Sequence, residues 1–167
     1  MPGVGAQRAV PLRDAHRTHA NFRIRVKGNY AELKALVAEL DVGRQVVFTG
    51  FVPDEELCRL YNTCAVFVMA SLDEGFGLPA IEAMSCGRPV IVSYGNSLEE
   101  LVGDAGLTVN PHNVEELAAA IDRIFSCEDL RRSLAERAVQ RASEFSWGTA
   151  ARQLLEVFEQ TRARPTR

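Results

Sequence analysis

The fold class is decided by one stretch of sequence, Ala65-Val-Phe-Val-Met-Ala-Ser-Leu-Asp-Glu-Gly-Phe-Gly-Leu-Pro-Ala-Ile-Glu-Ala-Met84. Its first six residues are apolar on both faces of a strand, as expected for a central parallel strand covered by helices above and below. The residues from Ser71 to Gly77 predict a polar loop, and Pro79 presets the first turn of a helix that ends at Gly87. The stretch therefore predicts a strand, a glycine loop and a helix in succession, with the strand deep in the sheet.

The same alternation of short apolar runs and helical segments continues on both sides of this stretch. Strands are predicted at residues 22–27, 45–49, 65–70, 89–93 and 107–109, and helices at about 29–40, 54–62, 79–85, 97–102, 114–126, 129–144 and 147–162. Asn29 is a suitable N-cap for the first helix. Because alternating strands and helices are typical of a parallel sheet flanked by helices, we expect an α/β domain over residues 22–162, between tails at 1–21 and 163–167.

Composition and length indicate one globular domain with a real core. The chain has 167 residues, of which 47% are hydrophobic and 25% charged. No apolar run approaches the roughly 18 residues of a membrane span, and no secretory h-region is present at the N-terminus, so a soluble, cytoplasmic protein is expected. The four cysteines show no CxxC spacing and the histidines are few, so we expect reduced thiols and no metal site.

The charges are distributed unevenly along the chain. Residues 1–29 contain six Lys or Arg and one acidic residue, whereas the rest is acidic, and the net charge is -3. A basic segment can bind nucleic acid, but Phe22 is the only aromatic residue in this one and no binding motif is recognisable. A solvated tail is therefore the preferred interpretation, and no nucleic-acid partner is expected.

The glycine loop is the most informative candidate for a binding site. In an open α/β sheet, ligands bind at the carboxyl ends of the strands, where the next helix offers free N–H groups and the positive end of its dipole. Gly75 and Gly77 have no Cβ, which would let the backbone approach an anion closely. The loop therefore resembles a phosphate cradle, although an ordinary strand-to-helix turn also favours glycine and proline.

Two carboxylates, Glu74 and Glu82, lie on either side of this loop. We expect Glu82 in the first turn of the helix, where the dipole keeps it ionised and able to accept two hydroxyls of a ribose. Glu74 could accept hydroxyls from a group attached to the far phosphate. The alternatives are that Glu82 only favours the helix start and that Glu74 is a solvated loop residue.

The sequence resembles a known family over about residues 24–160. Glu74-Gly-Phe-Gly-Leu-Pro-x-x-Glu82-Ala-Met, with Cys86-Gly-x-Pro-Val90, is similar to the signature of retaining glycosyltransferase family 4. Further similarities follow in the order of that family's C-terminal lobe, at residues 47–57, Tyr61, 102–106, Pro111 and 145–147. The resemblance implies a Rossmann-like, three-layer parallel sheet, namely the donor-binding lobe of a two-lobed GT-B enzyme.

The resemblance also implies a role for individual residues. Glu74, the implied catalytic residue, would contact the donor sugar, and Glu82 the ribose hydroxyls. The loop backbone at Gly75, Phe76 and Gly77 would lie against the sugar and the diphosphate, with Leu78 in the same wall. The nucleobase would lie against Phe51 and Val52, mainly through main-chain contacts.

The implied activity is transfer of a sugar from a UDP-, GDP- or ADP-linked donor to an acceptor, with retention of configuration. The resemblance implies neither a cofactor nor a metal, because positive side chains and helix dipoles stabilise the leaving diphosphate.

Two features of the family are missing from this sequence, namely its Arg/Lys pair for the diphosphate and its N-terminal, acceptor-binding lobe. The arginines at 8, 13 and 17 lie in surroundings unlike the family's strand-loop-helix unit. The isolated chain is therefore expected to be inactive without a separate N-terminal lobe chain. The alternative partner is a second copy of this chain, which would form a homodimer. Two alternatives remain: a non-catalytic nucleotide-sugar-binding or interaction module, and a related two-lobed enzyme such as an epimerase or phosphorylase.

Overall fold

The chain forms two units in the computed structural model, residues 1–57 and residues 58–167. The structure describes residues 22–24 and 30–162. The predicted tails at 1–21 and 163–167, the end of the predicted first strand and the Asn29 cap lie outside the described residues. The predicted single domain over residues 22–162 stays a prediction.

The first unit contains two short parallel strands and the helix that connects them. Strand β1 (Phe22–Ile24) pairs with β2 (Val46–Phe48), so that Ile24 lies opposite Phe48. Helix α1 (Tyr30–Glu39) lies between them in the chain and contains no fully buried residue. The ring of Tyr30 contacts the ring of Phe48 edge to face at a centroid distance of 5.9 Å, which joins the helix to the second strand.

Helix α2 (Asp54–Thr63) begins in the first unit and ends in the second. Pro53 precedes it, and the amide of Leu57 donates to the Pro53 carbonyl at 2.9 Å. Three acidic residues, Asp54, Glu55 and Glu56, occupy its first turn, where negative charge interacts favourably with the helix dipole. The predicted helix at 54–62 is therefore confirmed to within one residue.

The second unit contains a parallel sheet of three strands in the order β3-β4-β5. The strands are β3 (Phe67–Met69), β4 (Val90–Ser93) and β5 (Leu107–Val109). The helices after α2 are α3 (Leu78–Ser85), α4 (Ser97–Val102), α5 (Val114–Ser126), α6 (Glu128–Ser143) and α7 (Trp147–Arg162). The predicted α/β class, a parallel arrangement flanked by helices, is confirmed.

The central, fully buried strand of this sheet is β4, and the prediction that β3 is a central strand deep in the sheet is wrong. All four residues of β4 are buried, whereas Val68 in the middle of β3 is 37% exposed. Strand β3 pairs with β4 alone among the described residues, because it ends the order of its sheet. The burial of a strand therefore depends on its position in the sheet, and the apolar composition of β3 does not reveal that position.

The core of the second unit lies between β4, β5 and the helices α5 and α6. Its buried members are Ile91, Val109, Ala120, Ile124 and Leu134. Helix α6 also packs against α3, which connects the core to the helix after the glycine loop. Helix α7, by contrast, contains no buried residue, and Trp147 at its start is 83% exposed.

Among residues 22–24 and 30–162, every helix is too short or too polar to span a bilayer.

Candidate functional site

The loop from Ser71 to Gly77 is held by residues of the neighbouring β4–α4 turn. The hydroxyl of Ser93, at the end of β4, and the Nδ2 amide of Asn96 both donate to the Ser71 carbonyl, at 2.5 and 3.2 Å. The hydroxyl of Ser97 donates to the Glu74 carbonyl. Ser93 is fully buried, and its hydroxyl also accepts a hydrogen bond from Nδ2 of Asn96 at 3.0 Å, so the buried group has both a donor and an acceptor as partners. The loop backbone therefore has a defined position at the carboxyl ends of β3 and β4.

Gly77 is the one position in this loop that the fold restricts to glycine. Its φ is +95°, in the left-handed region, and a Cβ built on it would lie 2.2 Å from Cδ2 of the buried Leu98. Gly75 differs, since its φ is not in that region and a Cβ there would meet nothing within 4 Å. A left-handed backbone conformation is therefore found at Gly77 and not at Gly75.

The start of α3 offers fewer free donors than expected. Pro79 has no N–H, and the amides of Ala80 and Ile81 both donate to the Gly77 carbonyl, at 2.9 and 3.4 Å. Among the described residues, none accepts a hydrogen bond from the amides of Gly75, Phe76, Gly77 or Leu78. The donors that an anion could use therefore lie in the loop and at Leu78.

Glu82 lies in the second turn of α3, and the expectation that it occupies the first turn is wrong. The helix begins at Leu78, so Glu82 is its fifth residue, and the first turn contains no acidic side chain. Oε2 of Glu82 instead accepts a hydrogen bond from the hydroxyl of Tyr61 on α2 at 3.0 Å. The Tyr61 side chain is buried, and its ring contacts Phe67 of β3 edge to face at 5.6 Å. A hydrogen bond from a neighbouring helix therefore orients Glu82.

Glu74 is positioned through its backbone. Its carbonyl accepts the Ser97 hydroxyl, and the residue is half-buried in the loop. Its carboxylate has no hydrogen-bond or ion-pair partner among the described residues, so it is available to a ligand. Glu74 and Glu82 are hydrogen-bond acceptors, and the free amides between them are donors. All of these groups lie on one segment, formed by the loop and α3.

Phe76, at the tip of the loop, contacts residues that sequence reasoning did not assign to the site. Its ring lies edge to face with Phe145 at a centroid distance of 6.2 Å. The guanidinium of Arg141 lies 4.9 Å from the centre of the Phe145 ring. Arg141 also donates to the Leu101 and Glu100 carbonyls, at 3.0 and 2.9 Å. The loop tip is thus connected to the end of α4 through α6.

The predicted nucleobase residues, Phe51 and Val52, belong to the first unit, whereas the other predicted site residues lie in the second. Phe51 is 86% exposed, and Val52 is buried at 6%. Gly50 before them has a φ of +62°, a conformation that favours glycine. An exposed aromatic ring after such a turn is suited to a contact with a planar group.

The second unit has a cavity of about 290 Å³ that none of the predicted site residues lines. It lies before the starts of β3 and β4, next to Ala65, Pro89 and the arginines 88, 131 and 132. Within the part of the chain that the structure describes, no group of three His, Cys, Asp or Glu side chains could hold a metal ion.

Comparison with protein families gives a match over most of the chain. The family described as glycosyl transferases group 1 matches residues 8–141. The serotype-specific mannosyltransferase WbdA of Escherichia coli is 40% identical over 114 residues, which cover 68% of this chain and 14% of that protein. The MMP alpha-(1->4)-mannosyltransferase of Mycolicibacterium hassiacum is 35% identical over 171 residues, 93% of this chain and 42% of that protein. The chain spans less than half the length of both.

Many solved structures are similar to this chain, among them the following three. The sucrose-phosphate synthase of Thermosynechococcus elongatus gives a TM-score of 0.74 at 33% identity, over 84% of this chain and 38% of that one. Anabaena HepE, in complex with UDP and glucose, gives 0.71 at 28% identity, over 77% and 36%. The C-terminal domain of LpcC, a group 1 family protein of Francisella tularensis, gives 0.62 at 30% identity, over 68% and 60%.

Proposed function

Because the chain belongs to the glycosyl transferases group 1 family, we propose that it binds a nucleotide sugar and supplies the donor-binding half of a sugar-transferring enzyme. The sugar would pass to an acceptor with retention of configuration. The observation that supports this best is the arrangement of the 74–82 segment, where two carboxylates accompany four amides without acceptors among the described residues. Such a segment can bind the hydroxyls and the phosphates of one ligand together.

Glu82 is proposed to bind the ribose. The Tyr61 hydroxyl uses one lone pair of Oε2, and the carboxylate has further acceptor sites for two neighbouring hydroxyls. Hydrogen bonds to an ionised carboxylate are stronger than those between neutral groups. Tyr61 is therefore proposed as the residue that positions Glu82 for this contact.

The loop amides are proposed to bind the diphosphate. The amides of Gly75, Phe76, Gly77 and Leu78 lie at the start of α3, where the helix dipole favours negative charge. Gly75 needs no special backbone conformation, and a Cβ there would meet only open space. A glycine that the fold does not require is consistent with a ligand that lies close to the main chain.

Glu74 is proposed to contact the donor sugar and to act at the reacting centre, because it is the carboxylate on the loop side of these amides. Charge develops on the diphosphate as it leaves, and preorganised N–H donors stabilise that charge. The proposal therefore needs neither a metal nor another cofactor. Phe51 and Val52 are proposed to contact the nucleobase, a role suited to the exposed Phe51 ring.

The donor is proposed to be a sugar linked to a nucleoside diphosphate. Anabaena HepE was solved with UDP and glucose, whereas two curated relatives are mannosyltransferases. UDP-, GDP- and ADP-linked sugars are the proposed candidates. The acceptor is proposed to bind to a part of the enzyme outside the matched region, which is less than half of each curated relative.

The experiment that tests this proposal is titration of the full chain with UDP, GDP, ADP and their sugar conjugates, followed by thermal unfolding and calorimetry. A nucleotide at about 100 times its Kd stabilises the folded state by about 2.7 kcal/mol, and the corresponding rise in Tm is measurable. Glu82→Gln removes the charge at nearly constant shape. Glu136→Gln, on the exposed surface of α6, is the matched control.

One nucleotide should bind selectively, and its binding should weaken in Glu82→Gln but not in Glu136→Gln. If the folded protein binds none of these compounds, or if the two variants behave alike, the proposed donor site is wrong. A module that binds the donor without transferring it would also bind in this assay. Consumption of the bound nucleotide sugar in the presence of an acceptor supports the transferase, whereas binding without any consumption supports the module.

A further inference from the structure

One cysteine on α2 and one directly after α3 converge on one amide group. Nδ2 of Asn62 on α2 lies 3.5 Å from Sγ of Cys58, one turn earlier on the same helix. The same nitrogen lies 3.6 Å from Sγ of Cys86, directly after α3. It also donates to the Cys58 carbonyl at 2.9 Å, which fixes its position on α2. The two sulfur atoms are therefore neighbours across the α2–α3 contact.

Cys58 lies close enough to Cys86 to affect its titration. Burial raises the pKa of the Cys86 thiol, and the nearby Cys58 raises it further. Cys58 itself is exposed, so it is not merely a small apolar residue filling the core. An exposed thiol beside a half-buried one is the arrangement in which a small oxidant can reach the first sulfur and the second can complete the reaction.

The thiol pair lies beside the contact that orients Glu82. Cys58 precedes Tyr61 by three residues on α2, and Cys86 follows Glu82 by four residues along α3 and its C-cap. Residues three and four apart lie on the same side of a helix. The Tyr61–Glu82 hydrogen bond and the Cys58–Cys86 pair therefore join the same two helices at adjacent turns.

We propose that Cys58 and Cys86 form a redox modification site, a dithiol that small-molecule disulfides oxidise to an intramolecular disulfide. The Cys58 thiolate attacks the oxidant, the oxidant's S–S bond breaks, and one small thiol leaves. The Cys86 thiolate then attacks Sγ of Cys58 in this mixed disulfide and releases the second small thiol. Two protein thiols are thereby oxidised, one disulfide is reduced, and the two protons end on the released thiols.

The disulfide would form when the two side chains rotate toward each other from their shared contact with Asn62. It needs an S–S bond of about 2.0 Å and a Cβ–Cβ distance of about 3.5–4.5 Å. The cross-link would tie α2 to α3 and restrict the unfolded chain, so the oxidised protein should be more stable than the reduced one. This inference does not depend on donor binding.

The test is incubation of the full chain with oxidised glutathione, followed by peptide mapping with tandem mass spectrometry under non-reducing conditions. The expected product is a peptide pair linked through Cys58 and Cys86, with Cys64 and Cys127 still alkylatable. The Tm should rise by several degrees, and dithiothreitol should reverse the rise. Glutathione attached to Cys58 without a cross-link, or a link from Cys64 to Cys86, would overturn the proposal.

Serine variants supply the matched controls. Cys58→Ser alters an exposed residue and should abolish the redox-dependent Tm shift without preventing folding, and Cys86→Ser should do the same. Cys127→Ser, another exposed cysteine, should retain the full shift. An equal shift in the Cys58→Ser and Cys127→Ser proteins would show that the stabilisation has another origin and would contradict the proposed pair.

Discussion

The hydroxyl of Tyr61 donates to Oε2 of Glu82 at 3.0 Å, which couples a buried ring on α2 to a carboxylate on α3. The ring is packed against Phe67 of β3, so the hydroxyl cannot move far from its position. Glu82 is thereby oriented by the sheet and not by its own helix alone. A carboxylate held in one orientation loses less conformational freedom when it binds a ligand.

Tyr61→Phe removes this hydrogen bond and keeps the ring. The free energy of unfolding should fall by about 0.5–1.5 kcal/mol, as for a typical intramolecular hydrogen bond, and nucleotide affinity should fall several-fold because Glu82 is less well oriented. Urea unfolding and calorimetric titration measure the two effects. Tyr94→Phe, at an exposed tyrosine, should change the free energy of unfolding by less than about 0.5 kcal/mol. Equal effects in the two variants would mean that the Tyr61 hydroxyl contributes nothing specific.

Gly77→Ala and Gly75→Ala form a matched pair in one loop. Alanine at 77 must adopt a φ of +95° and displace the Leu98 side chain, so we expect a loss of about 2–4 kcal/mol. Alanine at 75 has open space and an ordinary φ, so the Tm should hardly change. If the loop backbone contacts the diphosphate, Gly75→Ala should nevertheless weaken nucleotide binding. Thermal unfolding with and without nucleotide separates these outcomes, and equal stability of the two variants would refute the structural difference between the glycines.

Arg141→Ala removes the link between α6 and the end of α4. The Leu101 and Glu100 carbonyls lose their guanidinium donor, and the Phe145 ring loses its cation, so we expect a loss of about 1–3 kcal/mol. Because Phe145 contacts Phe76, nucleotide binding should weaken as well. Arg132→Ala is the control, since its ion pair with Asp129 is exposed and such pairs contribute about 0–1 kcal/mol. Chemical denaturation of both variants measures the difference, and a loss no larger than the control's would contradict the structural role.

The thiol of Cys64 should react slowly with iodoacetamide in the folded protein. Burial raises the pKa of Cys64, and Arg88 only partly offsets this effect. At a given pH the side chain is therefore more fully protonated than an ordinary cysteine, and the thiolate is the reacting form. Mass spectrometry at several pH values should show slower alkylation at pH 8 than in a short unfolded peptide. At a pH where the alkylation rate of the peptide no longer increases, the alkylation rate of Cys64 should still increase with pH. Alkylation at the peptide's rate would show that Cys64 is not protected.

The errors in the sequence-based expectations have definite physical causes. Two apolar runs, 65–70 and 89–93, have the same strand-like composition, and only pairing with β5 makes β4 the central strand. The sequence predicted that the helix starts at Pro79, which would place Glu82 in its first turn. The left-handed Gly77 starts the helix one residue earlier, at Leu78, which moves Glu82 into the second turn.

The sequence by itself determined the α/β class, the order of strands and helices, and the presence of a glycine loop between a strand and a helix. These features depend on local causes: hydrophobic period, capping residues and helix-breaking glycine and proline. Helix α4 accordingly begins and ends at the predicted residues, Ser97 and Val102. The tertiary structure alone decided which side chains meet. Tyr61 and Glu82 are separated by 21 positions, and Arg141 and Leu101 by 40. No local pattern encodes such pairs, because they form only when the folded chain brings distant helices together.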